Sequence, residues 1–267
     1  MKRKLLSCIL AVAAMVLLYT SCTKDAPDYS GTGGVTGGNT VTSKAVSQQI
    51  ALNLAQSLYG GVGGFDLSDG LSPQINAIAP GRKKIIINSV TPECGSMMDT
   101  TMTYSMDFDT LKMSISGRFK FASTCTNNTP TGLTMYDSLL VNLTTPSMAA
   151  KYNILQNLTV SAVNPQKPDD KLSFSGIMNM KADVQYNTGS KPKMSTTFNY
   201  KLTSLIIDPS SLDGDIISGS ATFETIGDTP QGKWNYKGSI TFLGGHKVKI
   251  VINGDTYTVD TQTGQIV

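Results

Sequence analysis

The chain has 267 residues, of which 22 are basic and 19 are acidic, so its formal net charge is +3. Lys2, Arg3 and Lys4 account for the whole of that excess, and the rest of the chain is formally neutral. The composition therefore gives no support for nucleic-acid binding, which calls for a basic patch or stripe.

The N-terminus has the pattern of a secretory signal. Fourteen mostly apolar residues, from Leu5 to Leu18, follow the basic opening, as an apolar h-region follows a basic n-region. A retained transmembrane anchor is the alternative, but a spanning helix needs about 20 apolar residues. We therefore predict that residues 1–21 are a signal peptide that is removed.

The residues that follow this run are Tyr19, Thr20, Ser21 and Cys22. They resemble the lipobox of bacterial lipoproteins, in which two small residues precede a cysteine that becomes the first residue and is lipidated on sulfur. Tyr19 stands where leucine is usual, and a looser lipobox of this kind is similar to the Bacteroidota variety. The resemblance implies that Cys22 carries fatty acyl chains such as palmitate. It also implies an outer-membrane lipoprotein of the cell envelope, on either face of that membrane.

Residues 22–42 are predicted to be the lipidated cysteine and a flexible tether, because Gly, Ser and Thr dominate without apolar periodicity. Residues 43–267 are predicted to form one β-rich domain with an N-terminal helix. Cys8 leaves with the signal and Cys22 takes the lipid. Cys94 and Cys125 then remain as a pair in an oxidising compartment, where disulfides persist.

One helix is predicted over residues 43–59. Val46, Ile50, Leu54 and Leu58 recur at intervals of four residues, as the apolar stripe of a helix does. A glycine pair directly after the run ends it. We expect the stripe to pack on a sheet.

From Lys83 onward, short apolar–polar alternations separated by turn residues predict β-hairpins. A two-residue turn at Asp109-Thr110 sets the first register. It pairs the following residues: Phe108 with Leu111, Met106 with Met113, Tyr104 with Ile115, Met98 with Phe121, and Cys94 with Cys125. The alternation alone thus places the two cysteines opposite each other, which predicts a disulfide.

Asn253-Gly254 is a strong signal for a type I′ hairpin and pairs Val248 with Val259. Three earlier hairpins are predicted to pair the following residues: Ile240 with Val248, Phe223 with Trp234, and Met180 with Tyr200. Between residues 133 and 163 we expect two strands and a short helical turn at 147–153. The predicted fold class is mainly β: an antiparallel meander forming a curved sheet, half-barrel or barrel, with the helix packed on it.

Few residues suggest chemistry. His246 is the single histidine and sits at a Gly-Gly turn, where a solvated turn residue is the simpler interpretation. Asp208, Asp213 and Asp215 could offer oxygen ligands to Ca²⁺, but the EF-hand spacing is absent and Asp-Gly is ordinary turn chemistry. We predict no catalytic residues, no cofactor and no metal site.

Methionines lie in phase with the aromatic residues of several predicted strands. They are either packed core or the lining of a cavity for an apolar ligand, and the residues concerned are Met98, Met102, Met106, Met113, Met178 and Met180. Three further residues match the Asp-Ser/Thr-apolar pattern of Bacteroidota O-glycosylation, namely Thr100, Thr110 and Ser138. Of these, Thr110 at a hairpin tip should be the most accessible.

These patterns together predict a protein held at the membrane by its N-terminal lipid. The methionine-rich face favours a non-enzymatic module that binds an apolar or envelope-derived small molecule. The alternative is a structural or adhesion protein of the cell surface without a ligand cavity.

Overall fold

The computed structural model describes residues 40–59, 93–166, 171–208 and 215–267. The predicted signal peptide, Cys22 and most of the predicted tether lie outside these residues. The end of that tether belongs to the folded domain, however. Thr40 forms a bridge with Lys233, and the Val41 N–H donates to the Lys233 carbonyl over 3.0 Å. The domain therefore begins before residue 43.

The described residues form one helix and ten strands. Their bounds are α1 (Ser43–Tyr59), β1 (Met97–Phe108), β2 (Leu111–Thr126), β3 (Thr129–Thr144), β4 (Met148–Ala162), β5 (Leu172–Tyr186), β6 (Lys193–Ile207), β7 (Ile216–Thr229), β8 (Gly232–Gly244), β9 (Lys247–Ile252) and β10 (Asp255–Asp260). The helix has the bounds that its apolar spacing predicts.

The ten strands make a single sheet in which each strand lies beside its neighbours in sequence. Every pair is antiparallel. The predicted mainly β fold, an antiparallel meander with one N-terminal helix, is confirmed. The sheet is open, with β1 and β10 as its two edge strands. In the part of the chain that the structure describes, no helix is long and apolar enough to cross a membrane.

The helical turn predicted at residues 147–153 is wrong, because residues 148–153 belong to β4 and Ser147 lies in the turn before it. A tight turn precedes the strand, in which the Thr145 N–H donates to the Met148 carbonyl over 2.7 Å. Met148, Ala150 and Tyr152 are then buried at alternate positions. A strand buries all three side chains on one face, whereas helical spacing would separate them.

The registers of the first and last hairpins are confirmed. Met106 pairs with Met113 and Met98 with Phe121, and Val248 pairs with Val259. Cys94 and Cys125 form the predicted disulfide just before the start of β1, with their Cα atoms 5.9 Å apart. In both hairpins a two-residue turn fixes the register.

The three intermediate hairpins have other registers than predicted. The observed pairs are Ile240 with Ile250, Gly227 with Trp234, and Met178 with Tyr200. Each observed register differs from the predicted one by an even number of residues, so every side chain stays on its predicted face. The largest correction arises at Gly227, which is a strand residue and not a loop residue. A Cβ there would collide with the indole of Trp234, so the glycine makes room for the tryptophan.

We call the side of the sheet that carries the hydrophobic core and packs against α1 the inner face, and the opposite side the outer face. The helix crosses the inner face from β10 to β6. At one end Ser43 Oγ lies 2.7 Å from the Tyr257 hydroxyl, and further along the Tyr200 hydroxyl donates to Asn53 Oδ1 over 3.0 Å. Irregular pairing at Gly176 in β5 and in the second half of β6 bends the sheet there.

Candidate functional site

Four of the predicted ligand-lining methionines lie together at the β1–β2 edge of the inner face: Met98, Met102, Met106 and Met113. All four are half-buried. Met98, Met102 and Met113 pack against the main hydrophobic core, and Met106 pairs directly with Met113 across the hairpin. We call these four residues the methionine rim. It is an apolar strip that the described part of the fold leaves partly uncovered.

Met178 and Met180 lie elsewhere, inside the packed core. Their side chains are only 3% and 7% exposed. Met102 and Met180 share one cross-strand row, but four strand spacings, roughly 19 Å, separate them. The structure therefore does not bring the six predicted methionines into one cluster. All six methionines have the same phase in the apolar–polar alternation of their strands, which predicts that they lie on one face of the sheet. The phase alone does not tell whether a residue lies at the edge of that face or in its packed core.

Two polar side chains that the sequence analysis did not assign to a site lie side by side on the inner face. Asp137 of β3 pairs with Gln156 of β4, and they are 7% and 2% exposed. Asp137 Oδ1 and both Gln156 side-chain polar atoms have no hydrogen-bond partner in the part of the chain that the structure describes. We call these two residues the buried polar pair. The sequence signal that could have indicated this pair was a polar residue at an inner-facing position of each strand.

The surroundings of the buried polar pair are apolar. Phe119 of β2 lies opposite Asp137, and Met178 of β5 lies opposite Gln156. Burial raises the pKa of Asp137 to about 8, because the carboxylate loses its hydration. The carboxyl group is therefore mostly neutral at pH 7, and it can donate a hydrogen bond as well as accept one.

The helix adds polar groups two strands away from this pair. Tyr200 lies in the same cross-strand row as Gln156, with Met178 between them. Its hydroxyl donates to Asn53 Oδ1 over 3.0 Å, and Asn53 Nδ2 points to the Met180 sulfur at 3.7 Å. Tyr200 and Asn53 are thus hydrogen-bonded to each other, unlike the two side chains of the buried polar pair.

The outer face carries two open grooves. The first has a volume of about 550 Å³ and runs over β2 to β6, with Asn153, Asn179 and Asn199 among its lining residues. The second has a volume of about 520 Å³ and is lined in part by Lys151 and Lys193. Most outer-face side chains in both grooves are polar, but Leu140 and Leu155 also line the first groove and Ala149 lines the second.

Arg118 lines the first groove, but its charge is already paired. Its guanidinium donates to both carboxylate oxygens of Asp99 over 2.9 and 2.8 Å. The hydrogen bonds from Arg118, helped by Lys120 at 3.2 Å, lower the pKa of Asp99 to about 2. The groove is therefore less cationic than its lining residues suggest.

His246 and Asp215 meet at the β8–β9 turn. Asp215 Oδ2 accepts from the Gly245 N–H over 2.6 Å, and its Oδ1 accepts from the His246 N–H over 3.3 Å. The carboxylate thus holds the backbone of the turn. Asp208 is described but Asp213 lies outside the described residues. Within those residues, no group of three or more His, Cys, Asp or Glu side chains is placed to hold a metal ion.

The three residues of the glycosylation pattern occupy different settings. Thr110 is exposed in the β1–β2 turn, as predicted from the hairpin. Thr100 is half-buried on the inner face, and Ser138 is half-buried on the outer face. Only Thr110 thus combines a turn with an exposed side chain.

No family model, no curated protein and no solved structure matches this chain.

Proposed function

We propose that the protein is a lipid-anchored module of the cell envelope that binds an apolar or envelope-derived ligand and has no enzymatic activity. The observation that carries this proposal is the methionine rim, where four thioether side chains are half-exposed and three of them border the buried core. Methionine is flexible and polarizable, so such a strip can adapt to ligands of irregular shape. Its burial by an apolar molecule is favourable because apolar surface leaves water.

The proposed location rests on the N-terminal sequence and on the disulfide. Disulfides persist in oxidising compartments, and the Cys94–Cys125 bond is compatible with a place outside the cytoplasm. Cys22, which is outside the described residues, would carry the lipid. A lipid on this residue would keep the domain close to the membrane surface.

Cys22→Ala is expected to move the protein from the membrane fraction to the soluble fraction, because the variant lacks the sulfur that would carry the lipid. The measurement is fractionation of cell envelopes followed by immunodetection, with Cys8→Ala as the matched control. Cys8→Ala should leave the protein in the membrane fraction. A Cys22→Ala protein that stays in the membrane would show that another anchor holds it.

The proposed binding is tested by native mass spectrometry of protein purified from its own envelope. We expect a small apolar or amphiphilic molecule to co-purify and to dissociate when the protein is denatured. Repeated preparations that carry no such molecule, and a purified protein that binds no added apolar compound, would contradict the proposal.

Met98→Ala combined with Met102→Ala is expected to weaken binding of the neutral apolar dye N-phenyl-1-naphthylamine about tenfold. Removing two apolar contacts of this size costs at least about 1.4 kcal/mol of binding free energy, which is a factor of ten. Dye fluorescence in a titration gives the dissociation constant. Met97→Ala is the matched control, because Met97 is the adjacent residue and is 78% exposed. Equal losses in both variants would place the dye away from the rim.

A second candidate function is that of a structural or adhesion protein of the cell surface. The outer face favours it, since its two grooves are open and their outer-face side chains are mainly polar. A protein with this role should bind polar envelope polymers through the outer face and bind no apolar compound. Pull-down with purified envelope polysaccharide, compared between wild type and Asn179→Ala, separates this function from the first.

A further inference from the structure

We infer that Asp137 and Gln156 form a polar subsite on the inner face for an uncharged hydrogen-bonding group of an otherwise apolar ligand. This inference rests on the proposed function, and it specifies the class of ligand. The ligand would be an amphiphile whose hydrocarbon part lies on the methionine rim and whose polar part carries both a donor and an acceptor, as an amide or a hydroxyl does.

The first step is the energetic cost of the buried polar pair. A buried polar group without a partner destabilises a fold by about 1–3 kcal/mol, and native proteins leave few such groups. Here three atoms on two neighbouring side chains lack a partner within the described residues, although cross-strand partners lie close enough to interact. A pair that serves only packing would be better replaced by apolar residues, whereas a bound group with a donor and an acceptor would satisfy these atoms.

The second step is the position of the pair relative to the methionine rim. Thr100 of β1 lies between Met98 and Met102 along the strand and heads the cross-strand row that runs through Phe119 to Asp137. Two strand spacings, roughly 10 Å, therefore separate the rim from Asp137. The hydrocarbon part of one small amphiphile is long enough to span that distance.

The third step is the charge of the ligand. The described side chains that lie opposite Asp137 or next to it on the inner face of β3 are Phe119, Gln156, Met135 and Leu139, and none of them is charged. An anionic group would find no cation there. A cationic group would require Asp137 to ionise, and a buried ion pair roughly breaks even against its desolvation. The raised pKa of Asp137 agrees with an uncharged partner, because the neutral carboxyl can donate to it.

The test is displacement of N-phenyl-1-naphthylamine from the full-length protein by decanamide, decan-1-ol, 1-chlorodecane and decylammonium at pH 7. Decanamide and decan-1-ol are expected to bind about tenfold more tightly than 1-chlorodecane, which has the same chain length and no hydrogen-bond donor. A factor of ten corresponds to one net hydrogen bond.

Gln156→Leu should abolish that preference, so that decanamide binds no more tightly than 1-chlorodecane. The variant should also unfold at a higher temperature than the wild type, which distinguishes a lost subsite from a damaged fold. Asn157→Leu is the matched control, because it is the next residue along β4 and is exposed on the outer face. It should keep the preference for decanamide.

The outcomes separate the two proposals. A protein that binds neither dye nor any decyl compound overturns the proposed function. A protein that binds the dye but shows equal affinity for decanamide and 1-chlorodecane overturns the subsite alone, since the buried polar pair would then hold water or nothing. Tighter binding of decylammonium than of decanamide also overturns it, because Asp137 would then be a cation site.

Discussion

Asp137→Asn is expected to stabilise the domain at neutral and alkaline pH by several kcal/mol. Burial raises the pKa of Asp137 to about 8 in the folded protein, whereas an aspartate in an unfolded chain has a pKa of about 3.9. Between these two values the unfolded chain releases a proton that the folded protein keeps. The free energy of unfolding therefore falls by about 1.4 kcal/mol for each pH unit, which amounts to as much as about 4 kcal/mol at pH 7.

Asparagine cannot ionise, so the free energy of unfolding of the variant does not fall with pH in this way. Wild type and Asp137→Asn should be of similar stability near pH 4, where the aspartate is protonated in both states, and should diverge as the pH rises to 8. Urea unfolding at pH 4.5, 6, 7.5 and 9 measures the difference. The single tryptophan, Trp234, is buried and gives the fluorescence signal. Parallel stability curves for the two proteins would show that the Asp137 carboxyl finds a partner in solution.

Asp183→Asn is the matched control for this prediction, because the pKa of Asp183 is shifted in the opposite direction. Partial desolvation acts to raise it, but the hydrogen bond from Ser195 over 2.7 Å and the ammonium of Lys181 at 3.1 Å together lower the pKa of Asp183. Its contribution to stability is present above the unfolded pKa and is lost as the pH falls through the folded one. Any effect of Asp183→Asn should therefore change with pH only in the acidic range.

The face of each strand could be predicted from the sequence, and the reason is visible in the hairpins whose register was wrong. Alternation has a period of two, so a hairpin that slides by two or four residues still buries the same side chains. Trp234 is buried on the inner face whether it lies opposite Phe223, as predicted, or opposite Gly227, as observed. The register is fixed by particular packing contacts, here the indole of Trp234 against the backbone of Gly227.

The first and last hairpins were predictable because their turns leave no freedom to slide. Asn253 and Gly254 both have positive φ, 52° and 91°, which is the conformation that an Asn-Gly turn favours. At Asp109-Thr110 the alternation continues on both sides right up to the turn. The β8–β9 turn lacked such a signal, since Gly244, Gly245 and His246 all adopt positive φ and local sequence does not say where the turn falls.

The buried polar pair was missed for a different reason. Asp137 was grouped with Ser138 and Leu139 as a surface motif, because a short pattern carries no information on burial. Met135 and Leu139, two residues before and after Asp137 on the same strand, are buried. Because alternate residues of a strand share a face, their burial indicates that Asp137 is buried too. Recognising the pair also required the β3–β4 register, which places Gln156 opposite Asp137.

Replacing both Cys94 and Cys125 by serine is expected to lower the free energy of unfolding by about 3–4 kcal/mol. The two cysteines are 31 residues apart, and closing a loop of that length restricts the unfolded chain by about this amount in the chain-entropy treatment. The folded state should change little. Beside the disulfide, the Ser123 N–H donates to the Ser96 carbonyl over 2.9 Å and the Ser123 hydroxyl donates to the Glu93 carbonyl over 3.0 Å, and both contacts are independent of the sulfur atoms.

The measurement is urea unfolding of the double variant beside the wild type with and without a reducing agent. Reduced wild type should match the double variant, because both lack the same cross-link, and oxidised wild type should be more stable than either. A loss below about 1 kcal/mol would mean that the unfolded hairpin is already compact. The Asp109-Thr110 turn and the apolar pairs between β1 and β2 would then hold the two strands together without the bond.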